Sequence, residues 1–196
     1  MEKEVQTPSE KNFNLSKVKL NPAGGLQADY QVTETVGGEP SVTDYHANVG
    51  RDIHPTLREL FEDLRPIVAR VFNITSFLSF LDVEKVPNTI KDRAREFADE
   101  LLHKIDVRGV SWSGSDDNVG VVITAVFETP NGLKTCINTP RIKTAQISFG
   151  FEEELETIVD NIKGEVYAYL FKGKQAQLSL FGQPADADPN PDMPEE

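Results

Sequence analysis

Cysteine and long apolar runs are nearly absent from this sequence. The chain of 196 residues has one cysteine, Cys136, which excludes an intramolecular disulfide and a cysteine-rich zinc site. A chain without disulfides is typical of a reducing compartment, so we expect a cytoplasmic protein. The longest mostly apolar stretch, residues 67–81, contains Arg70 and Asn73 and is shorter than the roughly 20 residues that cross a bilayer. The sequence therefore predicts no membrane span.

Basic residues are also few, with 20 Lys and Arg against 32 Asp and Glu, for a formal net charge of −12. Proteins bind phosphate backbones through clusters of cations that release counterions. The linear sequence contains no basic stripe, so it predicts no direct binding to duplex nucleic acid. The acidity leaves open a structural or inhibitory protein that mimics nucleic acid, which would need ordered carboxylates at phosphate-like spacing.

Alternating apolar and polar residues predict strands in two groups, separated by a helical segment. In the first group, Gly37-Gly38 is a hairpin signal. In the second group, the turn at residues 113–118 joins two strongly alternating runs and marks the clearest hairpin of the chain. The predicted strands cover residues 17–20, 26–33, 41–48, 107–112, 119–127, 133–138 and 142–149.

Apolar residues at helical spacing predict two helices between the strand groups. The first begins at His54-Pro55 and continues to residue 72, with a kink or break at Pro66 because proline lacks the amide hydrogen that a helix interior needs. The second follows Pro87, with Asn88 or Thr89 as its cap. The predicted buried face of this second helix consists of Ile90, Phe97, Ala98, Leu101, Leu102 and Ile105.

A third amphipathic helix is predicted after the last strand, from residue 151 to Gly173, a glycine at the position where helices commonly end. Its apolar stripe consists of Leu155, Ile158, Val159, Ile162, Val166 and Leu170. The order of elements is βββ-αα-ββββ-α. Hairpins beside helices, without regular alternation, are typical of an α+β fold, here an antiparallel sheet built from strand meanders and covered by three amphipathic helices.

Composition divides the chain into four segments. Residues 1–15 are polar and without periodicity, and we expect them to be flexible. Residues 16–174 form a single α+β domain, and residues 175–181 contain a candidate linear motif. Residues 182–196 hold four prolines, five acids and no base, a composition that predicts a disordered acidic tail.

The linear motif is a pentapeptide that resembles the peptide by which replication and repair proteins bind the bacterial beta sliding clamp. Such a peptide inserts apolar side chains into a preformed hydrophobic groove, with a polar residue as anchor. The resemblance implies the clamp as partner and five partner-binding residues, namely Gln177, Leu178, Ser179, Leu180 and Phe181. A second interpretation stays open, in which the same residues form an edge strand that completes the core of the domain itself.

Most of the chain, from about Lys17 to Phe181, also resembles a family of uncharacterised proteins from tailed phages and prophages. The resemblance rests on Gly25-Leu26, His54-Pro55, and residues 138–142, 165–170 and 174–177. It implies a virus-derived accessory protein in the cytoplasm of a bacterial host, and it transfers no catalytic residue. We therefore expect a protein that is not an enzyme and that uses no cofactor.

One enzymatic alternative comes from carboxylates and imidazoles spaced two residues apart. On a strand, Asp44 and His46 share a face, and the same holds for Asp52 and His54. Such a set could hold Mn or Zn in a metal-dependent nucleic-acid enzyme. The competing interpretation places Asp44 and His46 on a solvated strand face and uses Asp52 or His54 to cap the following helix.

Overall fold

One antiparallel sheet forms the frame of the molecule. The structure is a computed structural model that describes residues 9, 12–21, 24–50, 53–76, 78, 86–114, 118–129, 131–143 and 150–174. Within these residues seven strands occur, in the spatial order β3-β2-β1-β4-β5-β6, with β7 beside β5. The strands are Phe13–Leu20 (β1), Leu26–Val36 (β2), Glu39–Val49 (β3), Ile105–Ser113 (β4), Gly120–Glu128 (β5), Lys134–Asn138 (β6) and Ile142–Lys143 (β7).

Strand β1 joins the two predicted meanders. It pairs with β2 on one side and with β4 on the other, both antiparallel. The hairpins β1-β2-β3 and β4-β5-β6 therefore become a single sheet through the pairing of Val18 with Val110 and its neighbours. This arrangement confirms the predicted α+β class and its antiparallel sheet.

Four helices accompany the sheet in the described part of the chain. They are Pro55–Asp63 (α1), Arg65–Val71 (α2), Asn88–His103 (α3) and Glu152–Phe171 (α4). The first predicted helix is divided into α1 and α2 at Leu64, because Pro66 cannot donate the amide hydrogen that continues the ladder. No helix among the described residues is long and apolar enough to cross a membrane.

The hydrophobic core lies between the helices and one face of the sheet, which we call the inner face. Buried apolar residues alternate along β1, β2, β4 and β5, where Val18, Leu26 and Ile123 are among the fully buried ones. The predicted stripe of α4 also packs there, with Leu155, Val159, Ile162 and Val166 buried and Ile158 and Leu170 partly buried. Gly173, at φ 69°, ends this helix as predicted. The residues that alternate with the core form the opposite, outer face.

The first strand begins earlier than predicted. Residues 13–15, which we expected in the flexible N-terminus, are part of β1, and Leu15 is 1% exposed. The ring of Phe13 lies 5.5 Å from that of Tyr167 and 5.8 Å from that of Phe171. Local alternation could not reveal this start, because the rings that bury Phe13 belong to a helix about 150 residues away in the sequence.

The buried face and cap predicted for α3 are partly wrong. Ala98 and Leu101 are buried, but Ile90 and Phe97 are each 49% exposed, and Ile105 belongs to β4. The helix begins at Asn88 itself, with Pro87 at the cap position and no side-chain cap bond. Helical spacing identifies which residues share a face of the helix. How much of that face is buried depends on the elements that pack against it.

Candidate functional site

The predicted clamp-binding residues, Gln177 to Phe181, lie outside the described residues, and so does the acidic tail. The last described residues before them are held at the end of α4. The amides of Lys172 and Lys174 both donate to the carbonyl of Ala168, at 2.9 and 3.2 Å. The Nζ of Lys174 lies 2.7 Å from a carboxylate oxygen of Glu165. The chain is therefore held by the domain up to three residues before Gln177.

An aromatic cluster holds the last turns of α4 against the sheet. Tyr167 and Phe171 from the helix meet Phe13 from β1 and Tyr30 from β2, with ring centroids 5.2 to 5.8 Å apart. Tyr45 of β3 stacks on Tyr30 at 5.3 Å and extends the cluster toward the sheet edge. Burial, and to a lesser extent the charge of Tyr45, raises the pKa of Tyr30 above its usual value.

The residues considered for a metal site divide between two places. Asp44 and His46 lie on the outer face of β3, where Gln31 donates to Asp44 at 2.9 Å and His46 Nδ1 lies 2.5 Å from Asp29 Oδ1. His54 caps α1 by accepting from the amide of Thr56, as the capping interpretation predicted. Asp52 lies outside the described residues.

These two places do not form a described metal centre. Helix α1, capped by His54, packs on the inner face, whereas His46 is on the outer face. Within the described ranges, no group of three or more His, Cys, Asp or Glu side chains is placed so that it could hold a metal ion. The pair of Asp29 and His46 is also well exposed, with 42% and 62% of the side chains accessible, so solvent screens it.

A groove of about 290 Å³ lies at the end of the outer face where α3 leads into β4. A smaller cavity of about 70 Å³ lies at the same end of the sheet, against α1 and α2, and Asp106 lines both. The larger one is lined by His103, Lys104, Asp106, Arg108, Val126, Glu128 and Lys134. The smaller one is lined by Leu20, Arg58, Phe61, Glu62, Arg65, Asp106 and Val107. We call the two together the basic groove.

The basic groove is net positive in a chain that is strongly negative. Its lining holds five Lys and Arg against three Asp and Glu. Sequence reasoning missed this cluster because its cations come from α1, α2, β4, β6 and the turn after α3. Only the strand register places Lys134, opposite Glu128, on the same end of the sheet as Arg108. The alternation of side chains along β4 and β6 was the one signal in the sequence that could have pointed to this cluster of cations.

The basic groove and the anchored end of α4 are two features of the described residues that bear on recognition. The groove suits an anionic group, and the end of α4 presents the chain that follows it. Comparison with protein-family models, with curated proteins and with solved structures finds no match to this chain.

Proposed function

We propose that this chain is a non-enzymatic accessory protein of a phage or prophage that binds the bacterial replication sliding clamp through Gln177–Phe181. The observation that carries the proposal is the pentapeptide itself, in which all five positions fit the clamp-binding pattern. Its position after an anchored helix end supports the proposal. Two residues separate Lys174 from Gln177, and the three steps of chain between them extend at most about 11 Å.

The recognition follows from burial of apolar side chains in a groove of the clamp. Leu178, Leu180 and Phe181 supply the apolar surface, and Gln177 supplies a polar anchor. Removing the side chains of Leu180 and Phe181 costs roughly 3 to 6 kcal/mol of binding free energy at the usual transfer values. That corresponds to a loss of more than about 100-fold in affinity.

The test is a titration of purified bacterial sliding clamp with the full chain and with its Leu180→Ala, Phe181→Ala double variant. We expect the parent to bind at micromolar concentration and the double variant to lose binding while its melting temperature is unchanged. Leu133→Ala is the matched control, because Leu133 is 65% exposed outside the motif and its removal should leave binding intact.

Two results would contradict the proposal. The first is the absence of measurable binding by the parent chain at tens of micromolar clamp. The second is a double variant that binds as the parent does but melts several degrees lower, because the pentapeptide would then be a core strand of the domain.

A further inference from the structure

The cations of the basic groove are only partly neutralised by the acids around them. Arg108 pairs with Asp106 at 2.7 Å and Lys134 with Glu128 at 3.4 Å. Arg65 donates its Nη2 to Glu62, but its buried Nε has no hydrogen-bond partner in the structure. A buried donor without an acceptor is costly, so an anionic group bound beside it would stabilise this part of the groove.

The segment that complements this groove is present in the same chain. Residues 182–196 contain no Lys or Arg, and their five acids are Asp186, Asp188, Asp192, Glu195 and Glu196. We propose that this acidic tail binds the basic groove of its own molecule, with carboxylates facing Arg65, Lys104 and Lys134.

The length of the chain permits this contact. The aromatic cluster places the end of α4 near Phe13, and the pairing of β1 with β4 puts Phe13 at the Ser113 end of β4. The groove lies at the other end, around Asp106. A strand of nine residues spans about 30 Å, whereas the twelve residues from Lys174 to Asp186 extend to about 40 Å.

Attachment to the domain also makes a weak attraction sufficient. A ligand joined to its receptor by a short linker has an effective concentration on the order of millimolar. A dissociation constant of the same size for the unattached tail is therefore enough to occupy the groove in about half of the molecules. Each exposed ion pair contributes little by itself, and salt weakens all of them.

A nucleic-acid strand fits the groove less well than the tail does. Phosphate binding releases counterions from neutralised phosphates, but a strand free in solution lacks the attachment that makes a weak attraction sufficient for the tail. The lining of the groove carries Asp106 and Glu128 among its cations, and Phe61 is 1% exposed, which leaves the imidazole of His103 as the one ring of the described lining that a base could meet.

The single cysteine of the chain makes the proposal testable in the full protein. Cys136 is exposed on β6 and is paired in register with Val126, a residue that lines the groove. A nitroxide label on Cys136 should broaden the backbone NMR signals of residues 186–192 by at least about half at low salt. The broadening should disappear at about 1 M salt, because salt at this concentration screens charges that are more than about 3 Å apart.

Charge reversal locates the contact. Lys104→Glu with Lys134→Glu should restore the intensity of the tail signals, whereas Lys91→Glu with Arg93→Glu, a control with the same change in charge on α3, should leave the broadening in place. Mixing labelled protein with an isotope-labelled Cys136→Ser chain should give no broadening between molecules.

Three outcomes would overturn the proposal. One is full intensity of the tail signals at low salt. Another is broadening that persists in the groove variant. The third is broadening between molecules, which would assign the groove to the tail of a second copy. If the tail signals are unaffected and a single-stranded oligonucleotide instead shifts the signals of Lys104 and Lys134, the groove binds nucleic acid and not the tail.

Discussion

Thr139 connects the end of β6 to the central strand β5 by two hydrogen bonds, and we expect its hydroxyl to be essential there. The amide of Ile123 donates to Thr139 Oγ1 at 2.9 Å, and the amide of Thr139 donates to the carbonyl of Ile123 at 2.9 Å. Both residues are buried, at 4% and 0% exposure. In Thr139→Val the shape of the side chain is kept, while the amide of Ile123 loses its acceptor.

The expected cost follows from the buried donor. A buried amide left without an acceptor costs about 1 to 3 kcal/mol, because water cannot replace the lost partner. A cost of about 2 kcal/mol lowers the melting temperature of a chain of this size by roughly 4 to 8 °C. Thr139→Ser keeps the oxygen and should recover most of the difference.

The assay is thermal melting of the parent and its variants, with Thr124→Val as the matched control. Thr124 is the next residue on β5 after Ile123, and its hydroxyl donates to Asn138 Oδ1 at 2.8 Å on the exposed face. Water can replace that bond, so the control should change stability by less than about 0.5 kcal/mol. Equal melting temperatures for Thr139→Val and the parent would refute the reasoning.

Two further predictions concern α4 and the aromatic cluster. Ile162→Asp should lower the free energy of unfolding by about 3 kcal/mol or more in chemical denaturation, because it places an unpaired charge at a position with 0% exposure. The neighbouring exposed change Asn161→Asp should be nearly neutral, and equal effects of the two would contradict the packing of α4. Since the raised pKa of Tyr30 means that folding favours its protonated form, stability should be complete below about pH 10 and fall above it. Denaturation at several alkaline pH values should show a smaller fall for Tyr30→Phe, and an identical fall would contradict the assignment.

The parts of the fold that follow local patterns could be predicted from the sequence. Alternation marks β2 and β5 because each has one buried face, and the stripe from Leu155 to Val166 marks α4 because each of its turns meets the core. The break at Pro66 and the end at Gly173 follow from the chemistry of single residues.

The remaining features depend on contacts between distant residues. Phe13 is a strand residue because rings from α4 cover it, and Ile90 is exposed although its spacing is that of a buried residue. The candidate sites also divide into those that the local sequence predicts and those that depend on contacts between distant residues. His54 could be assigned to a cap from its place before Pro55, whereas the basic groove required the register that brings Arg108 and Lys134 to one end of the sheet.

The aromatic cluster has a mechanical consequence for whatever is attached beyond α4. The last turn is ordinarily the part of a helix that frays first, but here Tyr167 and Phe171 hold it to Phe13. Tension applied at Lys174 therefore passes through the rings into β1, which pairs with β2 from Phe13 to Leu20 and with β4 from Lys17 to Lys19. A pull parallel to β1 strains its hydrogen bonds to β2 and β4 at the same time, so these bonds do not break one after another. The rings thus couple the end of α4 to the sheet, and a pull on Lys174 is shared by β1 and the two strands that pair with it.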